Sequence, residues 1–131
     1  MIGLDTNVLV RFLAQDDRLQ SPKAEALMGS LTAQNPAWLG SATILELVWV
    51  LGSKNRFERK AIVNPLDQLL MLDEIVIENA EAVHKAFQLF RRGNADFADC
   101  LIATSAKAAG CSRTVTFDRR AACDAGMELL A

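Results

Sequence analysis

Acidic side chains stand at four positions of this sequence where they could act together. Asp5 ends the apolar run MIGLD, and Asp118 ends the run TVTFD. Glu46 interrupts the apolar segment ILELVWVL, and Asp99 lies near the start of DFADCLIA, three residues after Asp96. Carboxylate oxygens are the ligands that Mg²⁺ and Mn²⁺ prefer in proteins. If folding gathers these acids, the chemistry that they predict is the binding of a divalent ion.

The same acids also have a purely structural interpretation. Asp and Thr are favoured at helix N-caps, where a side-chain oxygen accepts a hydrogen bond from an otherwise free backbone N–H. Segments with helical spacing of apolar residues begin at Asp5, Thr43, Asp96 and Asp118. Thr43 and Glu46 have the spacing of a capping box. Taken one at a time, these residues are therefore typical of helix starts.

Short apolar runs alternate along the chain with segments of helical periodicity. Residues 1–5 and the segments NPAWLGS, EIVIE, RTVTF and MELL predict five short strands. The segments between them space their apolar residues as amphipathic helices do. Such alternation predicts the α/β class, with a mainly parallel sheet that helices cover on both faces.

Two of the predicted helices carry signals for their ends or interruptions. In QDDRLQSPKAEALMGSL, Ser21 is predicted to cap the helix and Pro22 to occupy its first position. In KNRFERKAIVNPLDQLLMLD, Pro65 predicts an interruption, because proline lacks a backbone N–H and its ring collides with the preceding turn.

The predicted elements bring the acids to one edge of the sheet. Asp5 and Asp118 follow strands, and the other acids lie near helix starts, which return to the same edge in a βα unit. Ligands bind at the carboxyl ends of the strands in open α/β sheets. Carboxylates gathered there repel one another, and a divalent cation relieves that cost. Thr6 and Asn7, beside Asp5, can hold a carboxylate or a metal-bound water in place.

Carboxylates without a histidine cluster or a nucleophilic Ser or Cys arrangement point to phosphoryl chemistry. A divalent ion can generate hydroxide and stabilise a leaving oxygen of a phosphodiester. The basic residues are bunched, and such clusters can contact flanking phosphates. The clusters are Lys54, Arg56, Arg59 and Lys60; Arg91 and Arg92; and Arg119 and Arg120.

Composition favours a folded cytoplasmic protein of one domain. The chain has 131 residues, of which 51% are hydrophobic and 23% charged, and its net charge is −2. No apolar run approaches the roughly 20 residues of a membrane span, and the start of the chain lacks the features of a signal peptide. Three cysteines without a CxxC pair are typical of a reducing compartment. We therefore expect a cytoplasmic location and no membrane partner.

Four segments together resemble the PIN-domain ribonucleases, and most of all the VapC-like toxins of prokaryotic toxin–antitoxin pairs. They are IGLDTNVLVRFL, ATILELVWVL, ADFADCLIATSAKAAGC and VTFDRRA, and they occur in the family's order. The resemblance extends over essentially the whole chain. It implies a three-layer α/β/α sandwich with a mainly parallel sheet of about five strands, formed by residues 1–131 as a single PIN domain.

The resemblance also implies an activity, a site and partners. The activity would be Mg²⁺- or Mn²⁺-dependent endonucleolytic cleavage of RNA. The matching catalytic and metal-binding positions are Asp5, Glu46, Asp99 and Asp118, with Asp96 as a further metal ligand. Thr6 and Thr116 match polar positions that support the site. VapC-like toxins usually form homodimers, and a small VapB-like antitoxin lays its C-terminal segment across their active site.

Other functions remain open on the sequence alone. Two alternatives are a PIN nuclease of general RNA processing or decay without an antitoxin, and a PIN-fold interaction module without catalysis. A phosphatase of another α/β class is a further alternative, but Asn7 stands where the second acid of its DxD loop would fall. Residues 53–73 match nothing specific, so they assign neither an RNA target nor an antitoxin.

Overall fold

The computed structural model describes residues 1–130, which form two compact units. The first unit is Met1–Glu78, and the second begins at Asn79. Five strands and seven helices alternate along the described residues, and every strand pair is parallel. The predicted α/β class with parallel strands is thus confirmed. Hydrogen bonding groups the strands into a three-stranded and a two-stranded sheet. The single domain and its three layers stay predictions.

The first unit contains three parallel strands in the order β1-β2-β3. The strands are β1 (Ile2–Gly3), β2 (Ala37–Leu39) and β3 (Ile75–Ile77). The helices of this unit are α1 (Thr6–Ala14), α2 (Gln20–Ser30), α3 (Ser41–Ser53) and α4 (Arg59–Leu70). Strands β1 and β2 each lead directly into a helix, so α1 and α3 both begin at the carboxyl edge of the sheet.

Apolar residues at helical spacing form the core of the first unit. Leu9 of α1, Leu47 and Leu51 of α3, and Leu66 of α4 are each at most 1% exposed. Burying a leucine side chain contributes roughly 1.5–3 kcal/mol. Helix α1 packs against both α2 and α3, so the core fixes the orientation of the two helices that follow strands β1 and β2.

Helix α2 begins one residue earlier than its predicted cap. The Oδ1 atom of Asp17 accepts hydrogen bonds from the backbone N–H groups of Leu19 and Gln20, at 2.9 and 2.7 Å. Ser21 lies inside the helix, and its Oγ accepts from the N–H of Asp17. The prediction that Ser21 caps this helix was wrong, because the aspartate reaches the free N–H groups first. Pro22 is accordingly the third helical residue and not the first.

Helix α4 continues through Pro65, against the predicted interruption. Its buried face is formed by Ile62, Val63, Leu66 and Leu69. Pro65 points away from that face and is exposed, so water can solvate the carbonyl that loses its helical partner. Packing of the apolar face outweighs the local cost of the proline.

The second unit pairs two short parallel strands and packs two longer helices. The strands are β4 (Val115–Thr116) and β5 (Glu128–Leu129). The helices are α5 (Ala80–Arg92), α6 (Phe97–Ala108) and α7 (Arg119–Asp124). Helices α5 and α6 pack together through the rings of Phe87 and Phe97, whose centroids are 4.6 Å apart. The hydroxyl of Thr104 donates to the carbonyl of Ala82 at 2.8 Å and fixes the register of this pair.

Across residues 1–130, every helix is too short or too polar to cross a lipid bilayer. Within residues 1–130, no cysteine forms a disulfide; Cys100 is buried, and Cys111 and Cys123 are exposed.

Candidate active site

Asp5 lies where β1 passes into α1, as the sequence predicts. Leu4 before it is buried and anchors the end of the strand. The Oδ1 atom of Asp5 accepts a hydrogen bond of 2.7 Å from the backbone N–H of Thr6, so the residue is the N-cap of α1. The Asp5 side chain is nevertheless exposed. One carboxylate therefore holds the helix start and remains accessible to a ligand.

Glu46 lies in the second turn of α3, and no capping role accounts for it. The helix begins at Ser41 with Gly40 as its N-cap, so Thr43 is already inside it. The predicted capping box of Thr43 and Glu46 was therefore wrong. The Glu46 side chain is exposed and lines, together with Asp5, a cavity of about 550 Å³.

The wall of this cavity comes from matching faces of α1 and α3. Thr6, Asn7 and Arg11 belong to α1, and Glu46 of α3 is joined by Lys54 just after that helix. Residues four apart lie on one helix face, which explains the Asn7–Arg11 spacing and the Glu46–Lys54 spacing of twice four. The sequence thus places acids near the starts of two packed helices and cations near their ends.

A hydrogen-bond network surrounds Arg11 at the cationic end of the cavity. Its Nη1 atom donates to both carboxylate oxygens of Asp16 at 3.1 Å, and its Nε donates to Gln20 at 2.7 Å. The side-chain amide of Asn55 donates to the same carboxylate at 3.0 Å. Desolvation raises the pKa of Asp16, but hydrogen bonds from Asn55 and Arg11 outweigh it and hold that pKa below its ordinary value.

Three further predicted acids lie in the second unit, and two of them are N-caps. Asp96 caps α6 by accepting from the N–H of Ala98 at 3.4 Å. Asp118 caps α7 by accepting from the N–H groups of Arg120 and Ala121, at 2.8 and 3.4 Å. The capping roles predicted for these residues are confirmed. Both carboxylates are exposed.

Asp99 occupies the first turn of α6, where its carboxylate is close enough to two others to feel their charge. It is half-buried. Burial raises the pKa of Asp99, and the negative charges of Asp96 and Asp118 raise it further. Asp96, Asp99 and Asp118 therefore interact through their charges in the second unit, and Asp5 and Glu46 share a cavity in the first.

Thr116 holds the backbone at Asp118 in place. Its Oγ1 accepts a hydrogen bond of 3.0 Å from the N–H of Asp118. The side chain of Thr116 thus fixes the point where β4 ends and the carboxylate emerges. Its neighbour Phe117 is 80% exposed and takes no part in the core.

The donor atoms on both units fit a hard divalent cation. They are the carboxylate oxygens of the acids, the hydroxyl of Thr6 and the amide oxygen of Asn7. Mg²⁺ prefers such oxygen ligands. Within residues 1–130, no three acid, cysteine or histidine side chains converge closely enough to form a ready-made cage. Mg²⁺ is commonly held by one or two carboxylates, with waters and substrate phosphates completing its shell. The crowding around Asp99 is the kind of cost that a cation relieves.

Sequence reasoning missed Glu78, an acid at the carboxyl end of β3. Its Oε1 accepts from the N–H of Ser41 at 3.0 Å, and its own N–H donates to Leu39 at 2.9 Å. Glu78 thereby anchors the first turn of the helix that carries Glu46. A Cβ on residue 40 would lie at a tight 3.3 Å from the ring of Trp38, and at an ordinary contact distance of 3.8 Å from the Glu78 Oε1. The segment EIVIE carries the same signal as MIGLD, an acid directly after a short apolar run.

The profile of the PIN domain family matches residues 2–125. The chain belongs to the PIN domain family. It is similar to a VapC ribonuclease of Aquifex aeolicus (strain VF5), with 27% identity over 119 residues that cover 89% of this chain and 87% of the relative. The crystal structure of VapC20 of Mycobacterium tuberculosis, a sarcin-ricin loop cleaving toxin, covers 94% of both chains with a TM-score of 0.48 and 15% identity. The predicted resemblance to VapC-like PIN ribonucleases is thus confirmed.

Proposed function

We propose that this PIN-family protein is an endoribonuclease that depends on Mg²⁺ or Mn²⁺. The observation that carries the proposal is the cavity that the carboxylates of Asp5 and Glu46 line together with Thr6 and Asn7. Capping explains the position of Asp5, but it does not explain that of Glu46. In the second unit, burial and the charges of Asp96 and Asp118 raise the pKa of the half-buried Asp99. The VapC ribonuclease of Aquifex aeolicus, similar over 89% of this chain, supports RNA as the substrate.

The proposed catalytic and metal-binding residues are Asp5, Glu46, Asp99 and Asp118, with Asp96 as a further metal ligand. When bound, the divalent ion would supply a water of lowered pKa and neutralise charge on the phosphodiester. The supporting residues Thr6, Asn7 and Thr116 act through the carboxylates.

The chain's own groups have separate tasks in this hydrolysis. The N–H of Thr6 holds the carboxylate of Asp5 at 2.7 Å, so that carboxylate enters the reaction already oriented. Glu46 lines the same cavity and is free of any capping bond, which suits it to accept a proton from the attacking water. The Oγ1 of Thr116 fixes the backbone of Asp118. In-line attack of this water would leave a 5′-phosphate and a 3′-hydroxyl.

We further propose that the enzyme is the toxin of a toxin–antitoxin pair and acts in the cytoplasm. Its relative from Aquifex aeolicus is a VapC ribonuclease, which favours a small VapB-like antitoxin as partner. A homodimer is supported by Trp49, which is 61% exposed on a helix whose neighbouring Val48 is buried. Residues of this size left in water are typical of surfaces that another chain covers.

A cleavage assay with purified protein tests the proposed activity. Single-stranded RNA should be cut in Mg²⁺ or Mn²⁺, and an excess of chelator should stop the reaction. The product ends should be a 5′-phosphate and a 3′-hydroxyl. A protein that binds no divalent ion and cuts no RNA would instead be an interaction module with the PIN fold. Growth arrest on expression, relieved by the product of an adjacent small gene, would separate a toxin from a nuclease of general RNA decay.

A further inference from the structure

The cavity of the first unit has two chemically different ends. Asp5 and Glu46 line one end, near the starts of α1 and α3, and the proposed reaction uses them. Arg11 and Lys54 line the same cavity near the ends of those helices. An α-helix rises 1.5 Å per residue, so Lys54 lies about 12 Å farther along α3 than Glu46. The proposed hydrolysis leaves the cationic end without a task.

The Arg11 guanidinium is oriented before any ligand arrives. Asp16 holds Nη1 and Gln20 holds Nε, and Asn55 holds Asp16 from the side of α3. Among residues 1–130, no side chain or carbonyl accepts a hydrogen bond from Nη2, so one edge of the guanidinium is available to a ligand. A planar, pre-oriented guanidinium suits phosphate oxygens, because little entropy is lost when it binds them.

Lys54 adds a charge that no neighbour neutralises. It is the C-cap residue of α3, its side chain is exposed, and among the described residues it forms no ion pair. A cation is favourable at this position because the C-terminal end of a helix carries a partial negative charge. Arg11, in the last turn of α1, has the same advantage. Each of the two helices therefore has a cation near its C-terminal end, and that cation lines the cavity.

The charges predict an anionic ligand that spans the cavity. Asp5, Glu46 and Asp16 are negative, and Arg11 and Lys54 are positive. A divalent ion at Asp5 and Glu46 reverses the sign of the cavity, so a polyanion is attracted only after the acidic end is loaded. A volume of about 550 Å³ lies in the range of ligand-binding clefts.

We propose that Arg11 and Lys54 bind a phosphate of the RNA substrate other than the one that is cleaved. This inference rests on the proposed ribonuclease function and assigns residues that position its substrate. The carboxylate end performs the reaction, and the cationic end fixes where along the strand the scissile bond lies. Asp16 is a positioning residue, because it acts only through Arg11.

The salt dependence of RNA binding tests this proposal. Binding of a labelled single-stranded RNA with charged, cleavage-resistant phosphorothioate linkages is measured by fluorescence anisotropy in Mg²⁺, so that every variant keeps the acids that load the divalent ion. Each phosphate contact to a single strand contributes about 0.7 to the slope of log affinity against log salt. Between about 50 and 200 mM salt, Lys54→Gln should weaken binding and lower that slope by about 0.7. Arg11→Gln should weaken binding more, since it also leaves Asp16 uncompensated.

Matched cations provide the controls. Lys60→Gln removes an exposed lysine of the same basic cluster that does not line the cavity, and Arg113→Gln breaks the exposed ion pair with Glu128. Both should leave the slope unchanged. Should Arg11→Gln fail to fold, the Lys54→Gln variant still tests the proposal, because Lys54 is exposed. The proposal is overturned if the salt slope of Lys54→Gln equals that of the parent protein. It is also overturned if Lys54→Gln loses no more RNA affinity than Lys60→Gln. Cleavage of ordinary RNA by the wild-type protein is measured separately, so a failure of the proposed ribonuclease function is seen independently.

Discussion

The two groups of acids differ in how the chain compensates their charge. In the first unit, Asp5 and Glu46 share a cavity with Arg11 and Lys54, so cations line the same wall as the carboxylates. In the second unit, burial and the negative charges of Asp96 and Asp118 raise the pKa of Asp99. On the proposed function, the first group would accept a polyanion once loaded with a divalent ion, and the second group would accept a cation.

The comparison also shows that capping and chemistry are compatible roles. Asp5, Asp96 and Asp118 each accept backbone hydrogen bonds at a helix start, and each keeps an exposed carboxylate. A cap at the carboxyl end of a strand fixes an acid at the edge where α/β proteins bind ligands. Glu46 and Asp99 are not N-cap residues, so capping does not account for their positions.

The largest expected effect is the loss of RNA cleavage in Asp5→Asn. Asparagine caps a helix about as well as aspartate, so the fold should be retained. The charge that we propose holds the divalent ion is lost, and even substitutions of groups that only orient a metal ligand cost about 10–100-fold in metal affinity or activity. We expect cleavage to fall at least about 100-fold, measured as initial rates at saturating Mg²⁺ with the melting temperature nearly unchanged.

Asp17→Asn is the matched control for that substitution. Asp17 also holds a helix start, through the N–H groups of Leu19 and Gln20, but it lies outside both groups of acids. Its replacement should leave the cleavage rate within about twofold, an estimate that reflects the small effect of one surface charge. Equal losses in the two variants would mean that capping, and not chemistry, explains Asp5.

A smaller effect, of opposite sign, is expected for Asp99→Asn in the absence of metal. The folded-state pKa of Asp99 is raised above its ordinary value of 3.8. The folded state thus binds this proton more tightly than the unfolded state, and the associated stability is lost as the pH rises through the folded-state pKa. At neutral pH the charged form destabilises the fold, so Asp99→Asn should raise the melting temperature in chelator.

The dependence on metal and pH distinguishes relief of charge repulsion in Asp99→Asn from a general improvement of packing. The gain in Asp99→Asn should shrink as the pH falls below the raised pKa, because the wild-type carboxyl is then protonated too. Mg²⁺ should stabilise the wild-type protein more than the variant. Asp73→Asn, in an exposed turn before β3, should show neither response. A destabilised Asp99→Asn protein at neutral pH would contradict the crowding of carboxylates as the origin of the shift.

The sequence predicts the architecture better than the ends of its elements. Periodicity placed all five strands and the helices between them, because alternation of short apolar runs with amphipathic segments leaves few other folds. Ser21 and Pro65 misled the local predictions. Asp17 competes for the same backbone N–H groups as Ser21, and the buried face of α4 overrides the break at Pro65. Such competition between distant or neighbouring groups is not visible in propensities.

The acids of the candidate site were within reach of sequence reasoning because their signal is positional. An acid after a short apolar run predicts a place just after a strand, and Asp5 and Asp118 follow β1 and β4 as the N-caps of the next helices. The network of Arg11, Asp16 and Asn55 was not predictable. It joins residues up to 44 positions apart, and only the packing of α1 on α3 brings them together.

The smallest expected effect concerns Glu78, which bears on the comparison through the helix that carries Glu46. Glu78→Ala removes the acceptor for the N–H of Ser41 and should cost about 1 kcal/mol, as the loss of a helix cap does. Glu78→Gln keeps an oxygen at that position and should lose only the part due to charge. Urea unfolding measures the stability of both variants. Glu58→Gln is the control, because Glu58 precedes α4 and makes no capping bond.

If α3 positions Glu46, the cleavage rate of Glu78→Gln should exceed that of Glu78→Ala. An unchanged cleavage rate in Glu78→Ala would mean that the position of Glu46 does not depend on Glu78.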